Sequence, residues 1–234
     1  MTALVLAAGK GERLKHKVSK PLVLLNAQPV IAYSLRTLDT LVFIKDIVVV
    51  ADSSNRAGIL KVVEQFRFRK IRQVVIGGAR RQDSLGRGLA VLDRRTDLVL
   101  VHDAARPFAD KRSITAAVRE AARCGAAVVG VPVKATIKKC ISASVHKCMC
   151  VKETLKRDEL WEIQTPQVFK KELIVRAFGK FGREDVTDDA MLVEKTGARV
   201  SVVRGTYNNI KITTPEDLVI AEAFLKTHRV QKSE

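Results

Sequence analysis

Thr2-Ala3-Leu4-Val5-Leu6-Ala7-Ala8-Gly9-Lys10-Gly11-Glu12-Arg13 opens the chain and decides its fold. The apolar run over residues 3–7 predicts a strand buried on both faces, and the glycines and cations that follow at once predict a ligand-facing loop. Gly9 and Gly11 let the backbone approach a ligand, and Lys10 and Arg13 supply positive charge, so the loop is a phosphate-binding candidate. Neither common phosphate loop fits. The dinucleotide fingerprint needs a glycine where Leu14 stands, and a Walker loop needs Gly-Lys-Ser/Thr after four intervening residues. Taken alone, the two glycines suit an ordinary tight turn equally well.

Outward from this strand, β-branched runs at 46–51, 71–76, 97–101 and 126–131 alternate with helical patterns at 29–41, 54–66, 82–92 and 111–124, the last stopped by Gly125. This alternation predicts an α/β fold with a mostly parallel sheet and, through right-handed crossovers, helices on both faces. After Val131 the pattern changes. VKATIKKCISASVHKCMCVKET alternates weakly and turns near Ser142 and Ser144, which predicts a protruding two-stranded β-arm at about 133–155. An isolated hairpin is marginal in water, so the arm implies a partner surface and a symmetric homodimer. Helical patterns at 170–178 and 188–195 and a strand at 199–203 follow. Thr214-Pro215-Glu216-Asp217 then opens a last helix with an N-cap, a first-position proline and an acidic first turn. One domain over 1–228 and a polar tail over 229–234 are expected.

With 234 residues, 47% apolar and 29% charged, the chain is long enough to bury a full core without disulfides. No run approaches the roughly 18 apolar residues of a membrane span, and the N-terminus has no signal-peptide pattern, which points to a cytoplasmic protein without a membrane partner. Cys124, Cys140, Cys148 and Cys150 include no C-x-x-C pair. Cys148-x-Cys150 lacks a second ligand pair for zinc, so reduced thiols and no protein-built metal site are expected. The net charge of +17 suits phosphate-bearing ligands, but its lysines and arginines are scattered and aromatics are only 5%, which argues against a specific nucleic-acid surface.

Lys20 ends a cation cluster (Lys15, His16, Lys17) at Lys20-Pro21-Leu22, just before a run that must fold inward. With Arg13 it offers charge to the oxygens of a reacting phosphorus. Gly77-Gly78-Ala79-Arg80-Arg81-Gln82-Asp83-Ser84 follows the third strand and His102-Asp103-Ala104-Ala105-Arg106-Pro107 the fourth. Both stand at carboxyl ends of parallel strands, where open α/β sheets bind ligands. Gln164-Thr165-Pro166-Gln167 and Asn209-Ile210-Lys211-Ile212-Thr213 add polar groups later in the chain.

AAGKGERL, GGARRQDS, VHDAARPF, LWEIQTPQVF, TDDA and NIKITTPEDL, in this order and spacing, resemble the 2-C-methyl-D-erythritol 4-phosphate cytidylyltransferases over residues 4 to about 225. The resemblance implies a Rossmann-like nucleotidyltransferase fold, CTP and a small phosphorylated polyol as substrates, Mg²⁺ held mainly by the CTP phosphates, and a homodimer through the arm. It implies nucleotide contacts from Ala7, Ala8, Gly9, Gly11, Gly78, Arg81, Ser84 and Asp103. It assigns Arg13 and Lys20 to the transition state at the α-phosphorus, and Arg157 and Lys211 to the incoming phosphate, these four forming the catalytic set. Asp103, Ala104, Arg106, Thr136 and Thr165 fall around the polyol, with Thr136 and Arg157 reaching the neighbouring subunit's site.

Three positions depart from the family pattern. Ser19-Lys20-Pro21 stands where Pro-Lys-Gln is usual, Ala135 precedes the arm threonine where an acid is frequent, and Lys156 replaces a common aspartate. They bear on the identity of the polyol. Ribitol-5-phosphate cytidylyltransferase is the nearest alternative; VPVK leading into Thr136-Ile137-Lys138 and the alanine pair of HDAARP favour methylerythritol phosphate. A non-catalytic nucleic-acid-binding protein is the alternative of a different class, motivated by the charge.

Overall fold

In the computed structural model the opening run forms strand β1 (Thr2–Ala7), every residue of it buried. The structure describes residues 1–9, 14, 18–142 and 149–230, with 228–230 described in their backbone only. Lys10, Gly11, Arg13 and the lysines at 15 and 17 therefore lie outside the described residues.

β1 is buried because it is flanked on both edges and both faces. It pairs in parallel with β4 (Asp46–Ala51) on one side and β6 (Leu98–Asp103) on the other. The sheet continues through β5 (Ile71–Ile76), β7 (Ala126–Pro132), β10 (Trp161–Lys170) and β11 (Ser201–Arg204), in the order β11-β7-β10-β6-β1-β4-β5. Alternate side chains of β1 separate two cores. Ala3, Val5 and Ala7 pack toward α1 (Val30–Asp39), α2 (Arg56–Gln65) and α4 (Lys111–Cys124), among Leu35, Ile59 and Ile114. Leu4 and Leu6 pack toward α3 (Arg81–Ala90), α5 (Lys171–Phe181) and α6 (Asp189–Glu194), among Leu85, Ile174 and Leu192. Each fully buried valine, leucine or isoleucine among them contributes roughly 1.5–3 kcal/mol. Gly125 ends α4 at φ 99°, a conformation that glycine adopts without strain.

Most expected elements appear within one or two residues of their expected bounds, and three differences have physical causes. First, β6 does not stop at residue 101. His102 and Asp103 continue the ladder opposite Val5 and Leu6, and apolar pattern alone missed them because they are the polar, site-facing end of the strand. Second, β10 was not expected at all. It lies antiparallel between β6 and β7, with Gln164, Thr165, Pro166 and Gln167 in its middle. Its register shifts between Ile163 and Gln167, so Pro166 falls in an irregularity where no ladder N–H is required. Third, α7 (Pro215–Val230) runs past the expected start of the tail, and Asp217 at its start accepts from the backbone N–H groups of Thr213 and Thr214. Residues 231–234 lie outside the described residues.

A short hairpin, β2 (Leu24–Leu25) and β3 (Gln28–Pro29), turns at Asn26 and Ala27 with both φ angles positive, as tight hairpins require. The arm is the antiparallel pair β8 (Lys138–Ser142) and β9 (Met149–Thr154), exposed along its whole length. The expected turn falls partly on residues 143–148, outside the described residues. Cys124, Cys140 and Cys150 are unpaired thiols. Among the described residues no helix is long and apolar enough to cross a membrane.

Candidate active site

The parallel strands β1, β4, β5 and β6 all end at the same edge of the sheet, and a cleft of about 610 Å³ opens there. β1 runs into Ala7, Ala8 and Gly9 on one wall, and β5 runs into Gly77 and Gly78 on the other. The two walls come close enough that only glycine fits at 77: an added Cβ would stand 2.5 Å from Ser84 Oγ and 2.8 Å from Ala8 Cβ. At Gly78 it would collide with Asp83 Cβ. Ser84 Oγ accepts from Gly78 N at 3.2 Å, and Asp83 accepts from Arg80 N at 3.1 Å, so the start of α3 is folded back against the glycine turn. Helix α3 thus presents its N-terminus at the cleft, which favours anionic ligands.

The floor is an ion network centred on Asp103, the last residue of β6. Lys211 Nζ lies 2.7 Å from Asp103 Oδ2, and Arg81 Nη2 lies 3.3 Å from Oδ1. Burial alone would raise the Asp103 pKa. Arg81 and Lys211, with Arg106 beyond them, outweigh burial and hold the carboxyl well below the usual range. Arg81 is itself clamped by Asp189, which accepts from both terminal nitrogens at 2.6 and 2.8 Å. Burial would weaken the guanidinium's hold on its proton, but Asp189 and Asp103 outweigh it and keep Arg81 charged.

Behind the floor, the backbone of the His102–Arg106 turn is fixed by side chains from β6 and β10. His102 Nε2 lies 3.1 Å from the Arg106 carbonyl, an acceptor only, so this nitrogen carries the proton. Nδ1 then accepts from the Thr165 hydroxyl at 3.0 Å, and Thr165 Oγ1 in turn accepts from Asp103 N at 3.0 Å. Burial pushes the His102 pKa down to about 4, against the pull of Asp103. Arg106 donates from Nη1 to Asn209 O at 2.7 Å, while its buried Nε has no hydrogen-bond partner and stands 4.0 Å from Asp103 Oδ2.

The described residues of the sequence-derived site therefore separate into three groups. Ala7, Ala8, Gly9, Lys20, Gly78, Arg81, Ser84, Asp103 and Lys211 all line the cleft. Ala104, Arg106 and Thr165 lie beneath it, buried, with Ala104 N donating to Leu6 O and the Thr165 hydroxyl committed as above. Thr136 and Arg157 are exposed at the base of the arm and outside the cleft; Arg157 Nη1 donates to Lys134 O at 3.3 Å. Gly11 and Arg13 lie outside the described residues.

Sequence reasoning missed Asp52 and Ser53, which line the cleft, and the structural roles of Asp189 and Asn55. For Asp189 a signal existed in TDDA: two consecutive acids at a helix start need only one cap. Asp188 takes it, accepting from Met191 N at 3.0 Å, which leaves Asp189 to turn inward.

A mostly parallel sheet with a cation-floored, glycine-walled cleft at its carboxyl edge defines an α/β protein that binds a phosphate-bearing ligand at its strand tips. The family model described as IspD: 2-C-methyl-D-erythritol 4-phosphate cytidylyltransferase matches residues 1–227. A protein of that name from Alkaliphilus oremlandii is 40% identical over 231 residues, covering 97% of this chain and 96% of its own length. Another from Caldanaerobacter subterraneus is 42% identical over 229 residues, covering 97% and 99%. The crystal structure of 4-diphosphocytidyl-2C-methyl-D-erythritol synthase from Anaerococcus prevotii superposes with a TM-score of 0.83 at 33% identity, covering 96% of this chain and 95% of that one. The chain belongs to the 2-C-methyl-D-erythritol 4-phosphate cytidylyltransferase family.

Proposed function

We infer that the protein transfers CMP from CTP to 2-C-methyl-D-erythritol 4-phosphate, giving 4-diphosphocytidyl-2-C-methyl-D-erythritol and pyrophosphate, a step in isoprenoid precursor synthesis. The observation that carries this reading is the meeting of Lys20, Arg81 and Lys211, from three distant segments, in one cleft with the glycine walls. The space between Ala8 and Gly78 accepts a pyrimidine and its ribose, with Ala7, Gly9 and Ser84 as further contacts. The triphosphate then extends toward Lys20.

A phosphate monoester is largely a dianion near neutral pH, so the nucleophile needs no strong base. It must instead be held against another anion. Lys211, already oriented by Asp103, neutralises the incoming phosphate. One of that phosphate's oxygens attacks the α-phosphorus in line as the bond to the β-phosphate bridging oxygen breaks, and pyrophosphate leaves with that electron pair. Lys20 and Arg13 stabilise the charge that builds on the equatorial oxygens.

Asp52 and Asp103 are the carboxylates lining the cleft, and among the described residues no group of three acidic, histidine or cysteine side chains is poised to hold a metal. This donor set fits an Mg²⁺ ion carried on the nucleotide phosphates, which supplies charge neutralisation when bound. The arm carries exposed Met149 and Val151 on one face and exposed Ile141 on the other, apolar groups suited to contact with a second copy of the chain. In that homodimer Thr136 and Arg157 of one subunit complete the polyol-phosphate side of the other's cleft.

Pyrophosphate release tests the function. CTP with methylerythritol phosphate should support turnover at least tenfold above CTP with ribitol 5-phosphate, and above ATP with either alcohol phosphate. Faster turnover of ribitol phosphate would overturn the assignment of the polyol.

A further inference from the structure

Asn55 occupies the N-cap of α2, where an asparagine side chain ordinarily accepts a hydrogen bond from the helix's own first turn. It makes no such bond. The residue is 1% exposed, and its amide is turned toward the cleft-lining segments. Oδ1 accepts from Asp52 N at 3.0 Å, while Nδ2 donates to Ala7 O at 2.9 Å and to Ser19 Oγ at 2.9 Å. These partners fix which end of the amide is which: a flip would set oxygen against the Ala7 carbonyl and leave the Asp52 N–H facing a donor.

The three partners belong to three separate parts of the cleft. Ala7 ends β1 and starts the nucleotide loop, Asp52 follows β4, and Ser19 immediately precedes Lys20. The turn at Lys20–Leu22 is closed locally by Leu22 N donating to Ser19 O at 2.8 Å. Helix α2 holds that turn at two points, through Asn55 on Ser19 and through Leu22 packed against Gly58, where an added Cβ would collide with Leu22 Cδ1. A lysine side chain has a flexible four-carbon stem, so where its ammonium reaches depends on where its backbone is anchored.

We propose that Asn55 is a positioning residue for nucleotidyl transfer, holding the Lys20 backbone and the Ala7 end of the nucleotide loop at a fixed separation. The proposal rests on the reading that Lys20 acts at the α-phosphorus. A displacement of about 1 Å at a reacting centre costs on the order of 100-fold in rate. Asn55 contributes by preventing that displacement, without touching either substrate.

Steady-state kinetics on the full chain, in the wild-type and Lys20→Ala backgrounds, tests it. Asn55→Ala should lower kcat roughly 10- to 100-fold while changing KM for the polyol phosphate less than about twofold. On the Lys20→Ala background the same substitution should cost less than about twofold, because the group it positions is already gone. Ser19→Ala removes one tether and should lower kcat roughly 3- to 10-fold. Should Asn55→Ala fail to fold by circular dichroism, Ser19→Ala carries the same two-background comparison. A folded variant with wild-type kcat, or with an equal loss in both backgrounds, overturns the proposal. Failure of the parent reading is separately visible as absence of pyrophosphate release by the wild-type enzyme.

Discussion

The cleft and the arm are built on opposite terms. At the cleft floor Asp189 clamps Arg81, Arg81 and Lys211 hold Asp103, and Thr165 fixes the backbone beneath. On the arm every residue of β8 and β9 is exposed, and its ion pair between Lys139 and Glu153, at 3.1 Å, lies at the surface where such pairs contribute little. On the proposed function, the cleft groups that face the nucleotide are preorganised within one chain. Thr136 and Arg157, which the proposed function gives to the polyol phosphate, stand at the base of an element that lacks a core of its own, and the proposed homodimer supplies the surface that fixes its position.

The largest expected effect is on the cleft side. Lys20→Ala should lower kcat by roughly 10³-fold with the fold intact, as removal of a preorganised charge at a transition state does. Near-normal turnover, measured by pyrophosphate release with folding checked by circular dichroism, would remove Lys20 from the chemistry. Next, Met149 and Val151 share one face of β9, being two residues apart, so Met149→Glu with Val151→Glu charges that face. This variant should sediment as a monomer and lose activity at low protein concentration while still binding CTP. A fully active monomer would dissolve the contrast between the two regions.

Arg157→Ala sharpens the same contrast. It should raise KM for the polyol phosphate by roughly tenfold, the cost of losing one charge-assisted hydrogen bond, with CTP affinity unchanged. Weakened CTP affinity alone would put this arginine at the wrong substrate.

The remaining expected effect, on stability instead of on rate, is a pH dependence belonging to the cleft scaffold. His102 is buried neutral with its pKa lowered to about 4, so the unfolded chain binds the proton more readily than the folded one. Its contribution to stability is complete above about pH 6.5 and is lost as the pH falls through about 4, on the order of 3 kcal/mol in all. Thermal melts across that window should show the decline, and His102→Gln should flatten it. An unchanged slope would exclude His102 as its source.

Much of this was legible in the sequence where one physical rule governed a segment. Buried parallel strands demand apolar runs, and 46–51 was delimited correctly for that reason; 71–76 was delimited as well, but it is the edge strand, and Val74 is its one buried residue instead of the fully buried run the pattern suggests. The tips of those strands were legible as sites because ligands bind there in any open α/β sheet. Legibility failed where two demands met in one segment. β10 must be both a central strand and the carrier of Gln164, Thr165 and Gln167 beneath the site, so its polar residues and Pro166 hid the strand. Asn55 falls at the start of the helical pattern at 54–66 with nothing in the sequence to single it out, and only the fold shows its amide turned away from the helix toward Ala7 and Ser19. Arg157 and Thr136 were found through family resemblance, because nothing in a single chain brings them to the cleft.

On the proposed function, CTP binds and reacts in the cleft at the carboxyl edge of β1, β5 and β6. A crystal structure of the protein with CTP and Mg²⁺ tests it most directly. Cytosine is expected between Ala8 and Gly78, with the α-phosphate within hydrogen-bonding reach of Lys20. Nucleotide bound instead at the opposite edge of the sheet, against Arg94, Lys170 and Lys171, with the cleft empty, would contradict it.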